Sequence, residues 1–167
     1  MASRAGKHQQ IYSDRNLLIG VQMTKEDYAK KAYQWAKALK LLDPTIKLIL
    51  CGETGVADWD QYVLKQCLKF DQHALGGSTT ASLVDMHSIH IYTADNEPLK
   101  NAIAPRSAER AIEICASLID LARIQNNVPA SVPRTTICFD EWNVWDSSIA
   151  PGDKGAEQMS VSQIPSQ

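Results

Sequence analysis

The chain has 167 residues, with 17 Lys and Arg against 19 Asp and Glu, a formal charge of −2, and 44% hydrophobic against 22% charged residues. That balance belongs to a water-soluble globular domain and excludes a disordered tail, a collagen-like chain and a basic nucleic-acid wrapper. The length holds one domain with a core but not two.

In chain order, Thr24 and Asp27 have the spacing of a helix-capping box, and a helix is expected to about Leu42. Its apolar positions Tyr28, Ala32, Trp35, Ala36 and Leu39 recur at three- and four-residue intervals. Pro44 stops it, because proline disfavours helical geometry in the preceding residue. Residues 46–51 are short and aliphatic, end at Gly52, and read as a strand. A second helix is expected from Asp58 to about Phe70, with Trp59, Tyr62, Val63 and Cys67 on one stripe. Residues 73–80 read as loop, and 83–92 as a second strand. A loop carrying Pro98 and Pro105 leads to a helix over 107–125, where Ala108, Ala111, Ile112, Cys115, Leu118, Ile119 and Ala122 keep the helical period. Residues 134–140 form the third clear strand, and from Ser147 onward periodicity is lost.

Strand, helix, strand, helix, strand at these separations is the pattern of βαβ units with a parallel sheet, either a doubly wound sheet or a section of a barrel. No apolar run reaches the roughly 18–20 residues of a membrane helix. The first twenty residues lack the pattern of a secretory signal, so the chain as written is expected in the cytoplasm. Cys51, Cys67, Cys115 and Cys138 are widely spaced among apolar neighbours and are expected as buried, reduced thiols.

Nucleotide chemistry is poorly supported, because residues 51–55 lack the spacing of a phosphate-binding glycine turn. Glu53 and Asp58 read there as turn and cap residues. His87 and His90, three apart on a strand, point to opposite faces and cannot share a metal, whereas His90 and Tyr92 share a face. Asp140 and Glu141, followed by Trp142 and Trp145, stand where the third strand is expected to end, and the C-terminal strand ends of βα folds form their binding face. Tryptophan faces stack on sugar rings, and carboxylates beside them break glycosidic bonds. Equally compatible with the pattern, Trp142 and Trp145 pack under the loop while Glu141 caps the next segment.

Asp140-Glu141-Trp142-Asn143-Val144-Trp145 resembles the nucleophile motif of the α-L-arabinofuranosidases of glycoside hydrolase family 51. Asp85-Met86-His87-Ser88-Ile89-His90-Ile91-Tyr92 resembles the preceding active-site strand of the same enzymes. The helix from Glu26, the strand from Lys47 and the helix from Ala108 follow in the family's order. The resemblance implies an α/β fold, a partial (β/α)8 TIM barrel covering roughly its second half. Residues 22–146 would form the barrel segment, after an atypical segment 1–21 and before a loose tail 147–167.

It implies a retaining glycosidase that releases terminal arabinofuranosyl groups, with Glu141 as nucleophile, His90 and Tyr92 orienting it and bordering the pocket, and Trp145 lining the sugar side. The implied partner is an arabinofuranosyl oligosaccharide or polysaccharide. No cofactor, metal, nucleic acid or membrane is implied. Retaining hydrolysis requires a second carboxylic acid about 5–5.5 Å from the nucleophile. The family draws it from a Gly-Asn-Glu motif, and residues 16–24 contain none. The expectation is therefore a chain with the nucleophile but without the acid/base. Two further readings are a non-catalytic arabinan-binding remnant and an interaction fragment pairing, even as an oligomer, through exposed strand edges.

Overall fold

Thr24 begins the first described helix, its hydroxyl accepting a hydrogen bond from the Asp27 N–H at 3.1 Å. The computed structural model describes residues 23–71, 75, 81–93, 99 and 103–144. Segments 1–21 and 147–167, whose separate character the sequence suggests, lie outside them.

Helix α1 runs Lys25–Leu42. It ends where the Asp43 carboxylate accepts hydrogen bonds from the N–H and hydroxyl of Thr45 at 2.8 and 2.7 Å, a turn that competes with further helix. Its inward residues are Ala29, Ala36 and Lys40, with Tyr28, Ala32 and Tyr33 packed beside them. Trp35, expected on that stripe, is 67% exposed. The helix turns by 3.6 residues, so the stripe through 29, 32, 36 and 40 carries position 35 past the edge of the buried face.

Strand β1 is Ile49–Leu50, shorter than the 46–51 expected. The flanking N–H groups are bonded elsewhere. The Leu48 N–H donates to the Asp85 carboxylate at 3.0 Å, and the Cys51 N–H donates to the Tyr28 hydroxyl at 2.8 Å. Helix α2 spans Asp58–Cys67, burying Val63, Leu64 and Cys67. Strand β2 is Met86–Thr93. Helix α3 is Pro105–Gln125, starting two residues before the expected position 107, at a proline expected in the loop. Proline suits a first helical residue, since its fixed φ matches and no partner for its nitrogen is needed there. Strand β3 is Thr136–Val144, so the expected strand end at Asp140 continues four residues further.

The sheet order is β1-β2-β3, and both pairings are parallel. Ala29 from α1, Val63 and Leu64 from α2, and Cys115 and Ile119 from α3 gather with Leu50 and Ile89 in one cluster. All three described helices thus cover the same face of the described sheet, the layering of a barrel wall rather than of a doubly wound sheet. Burial of such aliphatic side chains contributes about 1.5–3 kcal/mol each. The four cysteines are free thiols; Cys67 and Cys115 are buried, Cys51 and Cys138 half-buried. No helix among the described residues is long and apolar enough to cross a membrane.

Candidate active site

Alternation along β2 sorts its side chains. His87 and Ile89 face the helices: His87 meets Asp60 of α2, and Ile89 joins the core with Cys115 of α3. Ser88, His90 and Tyr92 therefore face the other way, toward what would be a barrel interior. On β3, Ile137 and Phe139 pack on the helix side. The alternation then breaks: Ile89 pairs with Phe139, but His90 pairs with Glu141, with Asp140 as an additional residue. Glu141 thereby shares the inner face with His90 and Tyr92.

The Tyr92 hydroxyl donates to Glu141 Oε2 at 2.9 Å. His90 Nε2 lies 3.1 Å from Asp140 Oδ1, with the His90 side chain only 7% exposed and that of Asp140 40% exposed. Glu141 is exposed to solvent and Tyr92 half-buried. The geometry is thus one accessible carboxylate held by a phenol, beside a second carboxylate held by an imidazole. An accessible carboxylate of fixed orientation can act as a nucleophile or a base.

The loop after β1 supports this edge. Asp60, fully buried at the third position of α2, accepts from the N–H groups of Glu53 and Gly55 at 2.8 Å each and Ala57 at 3.1 Å. It also contacts His87 Nε2 at 2.9 Å. A carboxylate so placed is acceptor-only, which puts the imidazole proton on Nε2. Close approach at Gly52 completes the arrangement, because a Cβ there would stand 2.0 Å from the Ser88 carbonyl oxygen. The loop in turn reaches the site: the Glu53 carbonyl accepts the His90 N–H at 2.6 Å. Burial, and then the negative charge of Asp60, push the Glu53 carboxyl above its ordinary range.

Of the four residues singled out from sequence, Glu141 and Tyr92 are in direct contact, and His90 stands across from Glu141 with its ring toward Asp140. Trp145 lies outside the described residues, as do residues 16–22 of the segment that lacks the Gly-Asn-Glu motif. Trp142 is 61% exposed, stands across from Ile91, and meets the Phe139 ring at 5.7 Å, so it does not pack under a loop. Sequence reading missed Asp60, which it had no reason to separate from an ordinary first-turn acid. It also missed Cys51, whose thiol is pushed up by burial and then by the Asp140 carboxylate.

No protein-family model matches the chain. It is 64% identical over 137 residues to a probable α-L-arabinofuranosidase C of Aspergillus fumigatus, covering 82% of this chain and 27% of that protein. It is 61% identical over 137 residues to α-L-arabinofuranosidase C of Emericella nidulans, with the same 82% and 27% coverage. Among solved structures, a family 51 α-L-arabinofuranosidase from Bifidobacterium longum superposes with a TM-score of 0.57 at 25% identity, covering 76% of this chain and 25% of that one. The chain thus spans about a quarter of the length of the curated relatives it matches.

Proposed function

We propose, since the chain belongs to glycoside hydrolase family 51 as a segment of its (β/α)8 barrel, that Glu141 is the nucleophile of a retaining arabinofuranosidase site. The observation that carries this is the hydrogen bond from Tyr92 to Glu141 at 2.9 Å, at the C-terminal ends of two parallel strands. In this reading a Glu141 carboxylate oxygen attacks the anomeric carbon of a terminal α-L-arabinofuranosyl group, and the bond to the leaving oxygen breaks. Tyr92 holds the attacking carboxylate in one orientation, His90 borders the furanose, and Trp145 lines the sugar side. The substrate class is an arabinofuranosyl oligosaccharide or polysaccharide, and residues 22–146 are the part of the barrel that serves it.

The second acid is absent from this reading. Residues 16–24 contain no glutamate, and general acid catalysis commonly supplies about 10²–10⁴-fold. Natural glycosides are therefore expected to be cut negligibly, while a substrate with an acidic leaving group is expected to load the nucleophile.

The test uses 2,4-dinitrophenyl α-L-arabinofuranoside. Dinitrophenolate departs without protonation, and with no base to activate water the glycosyl ester on Glu141 accumulates. Mass spectrometry of the digested chain should find one pentosyl adduct on the peptide carrying Glu141, and none in Glu141→Ala. An unlabelled folded chain, or equal labelling of the Ala variant, rules the assignment out.

A further inference from the structure

Why Glu141 rather than Asp140 stands opposite His90 is decided at a single residue. Because strand side chains alternate, a slip of one residue exchanges the faces of everything that follows. Phe139 packs on the helix side. In an unbroken ladder the next residue, Asp140, would stand on the inner face opposite His90, and Glu141 would turn toward the helices. Instead the pairing passes from Ile89–Phe139 to His90–Glu141, and Asp140 is the extra residue of a β-bulge.

The bulge is held from two directions, both through His90. Its N–H is taken up at 2.6 Å by the Glu53 carbonyl, on the loop that Asp60 fastens through three backbone N–H groups. Its ring reaches the bulged residue itself, with Nε2 at 3.1 Å from Asp140 Oδ1. His90 is nearly buried, so its ring is a fixed anchor, whereas Asp140 is the movable partner.

We infer that Asp140 is a positioning residue: its contact with His90 pins the bulge, and the pinned bulge keeps Glu141 on the inner face against Tyr92. Asp140 acts only through register and performs no chemistry. The functional meaning rests on the nucleophile reading above; the register claim stands apart from it.

Two measurements on the whole chain separate these. The first is the set of cross-strand NOEs in isotopically labelled protein. The wild-type chain should pair the backbone of His90 with that of Glu141. Asp140→Ala, and Asp140→Ser whose hydroxyl is too short to reach Nε2, should pair His90 with residue 140 instead. Asp140→Asn retains an oxygen facing the imidazole and should keep the wild-type pairing. The second is the rate of pentosyl loading from 2,4-dinitrophenyl α-L-arabinofuranoside. It should fall by about 10²-fold in the Ala and Ser variants, the size of effect that misplacement by about an ångström produces, and recover in the Asn variant.

Ala and Ser variants that keep the His90–Glu141 pairing overturn the inference, whatever the label does. A wild-type chain that takes no label overturns the nucleophile reading, and the NOEs then decide the register claim alone.

Discussion

At position 92 one phenolic oxygen does what an aliphatic side chain could not: it donates a hydrogen bond to a solvent-accessible carboxylate. The Tyr92–Glu141 contact at 2.9 Å is a hydrogen bond to an acceptor that is charged when ionised, a class that contributes about 1.5–3 kcal/mol, with the lower end appropriate here because Glu141 is exposed. Tyr92→Phe removes the hydroxyl and leaves the ring. It should slow pentosyl loading of Glu141 by about tenfold, since about 1.4 kcal/mol is one decade in rate. Thermal unfolding should hardly change. Loading at the wild-type rate would show that the phenol does not orient the carboxylate. Both residues were legible in sequence because strand alternation alone puts His90 and Tyr92 on one face. Their meeting with Glu141 is implied by the likeness to the nucleophile motif and not by alternation, which carried through 139–141 without a bulge would have sent Glu141 the other way.

Elements are tied together by a half-buried charge at the opposite end of the strands. The Asp85 carboxylate, just before β2, receives Lys40 Nζ of α1 at 2.9 Å, Lys47 Nζ at 3.0 Å and the Leu48 N–H at 3.0 Å. Burial alone would push its carboxyl up. The hydrogen bonds from Lys40, Leu48 and Lys47 outweigh that, and the net shift is downward. A carboxyl lowered in the folded state adds stability above its unfolded value of about 3.9, and that contribution is lost as pH falls through the lower folded value. Asp85→Asn should therefore cost about 1–3 kcal/mol at neutral pH. In urea titrations the gap from wild type should close below pH of about 3.9. A gap independent of pH would mean that the amide loses shape rather than charge. The same cluster explains why β1 is so short: the Leu48 N–H, which the sequence pattern assigned to a strand ladder, is taken by this carboxylate. Hydrophobic runs announce strands, but nothing in residues 46–51 announces which backbone groups a distant side chain will claim.

At the scale of the molecule, the three parallel strands of the described residues, covered by helices on one face, leave a core that can be read by its thiols. Cys67 and Cys115 are fully buried, and burial pushes both thiols up to about 12. A thiol both protonated and shielded is a poor nucleophile. Alkylation of the native chain should spare these two, and alkylation in urea should reach all four cysteines. The urea concentration at which Cys67 and Cys115 become reactive should match the unfolding midpoint seen by circular dichroism. Native-state modification of either at the rate of an exposed thiol would mean that the helices do not close over the sheet.

The order of strands and helices, their parallel pairing, the shared face of His90 and Tyr92, and the likeness to family 51 were all present in the order of amino acids. Each depends on local periodicity or on motif, which a linear string carries whole. Three matters belonged to tertiary structure alone: the bulge at Asp140, the capture of the 53–57 loop by Asp60, and the exposure of Trp35. Each is settled by a partner distant in sequence or by the curvature of a packed face. A one-residue change of register leaves composition and hydrophobic pattern untouched, yet it decides which of two adjacent carboxylates meets the phenol.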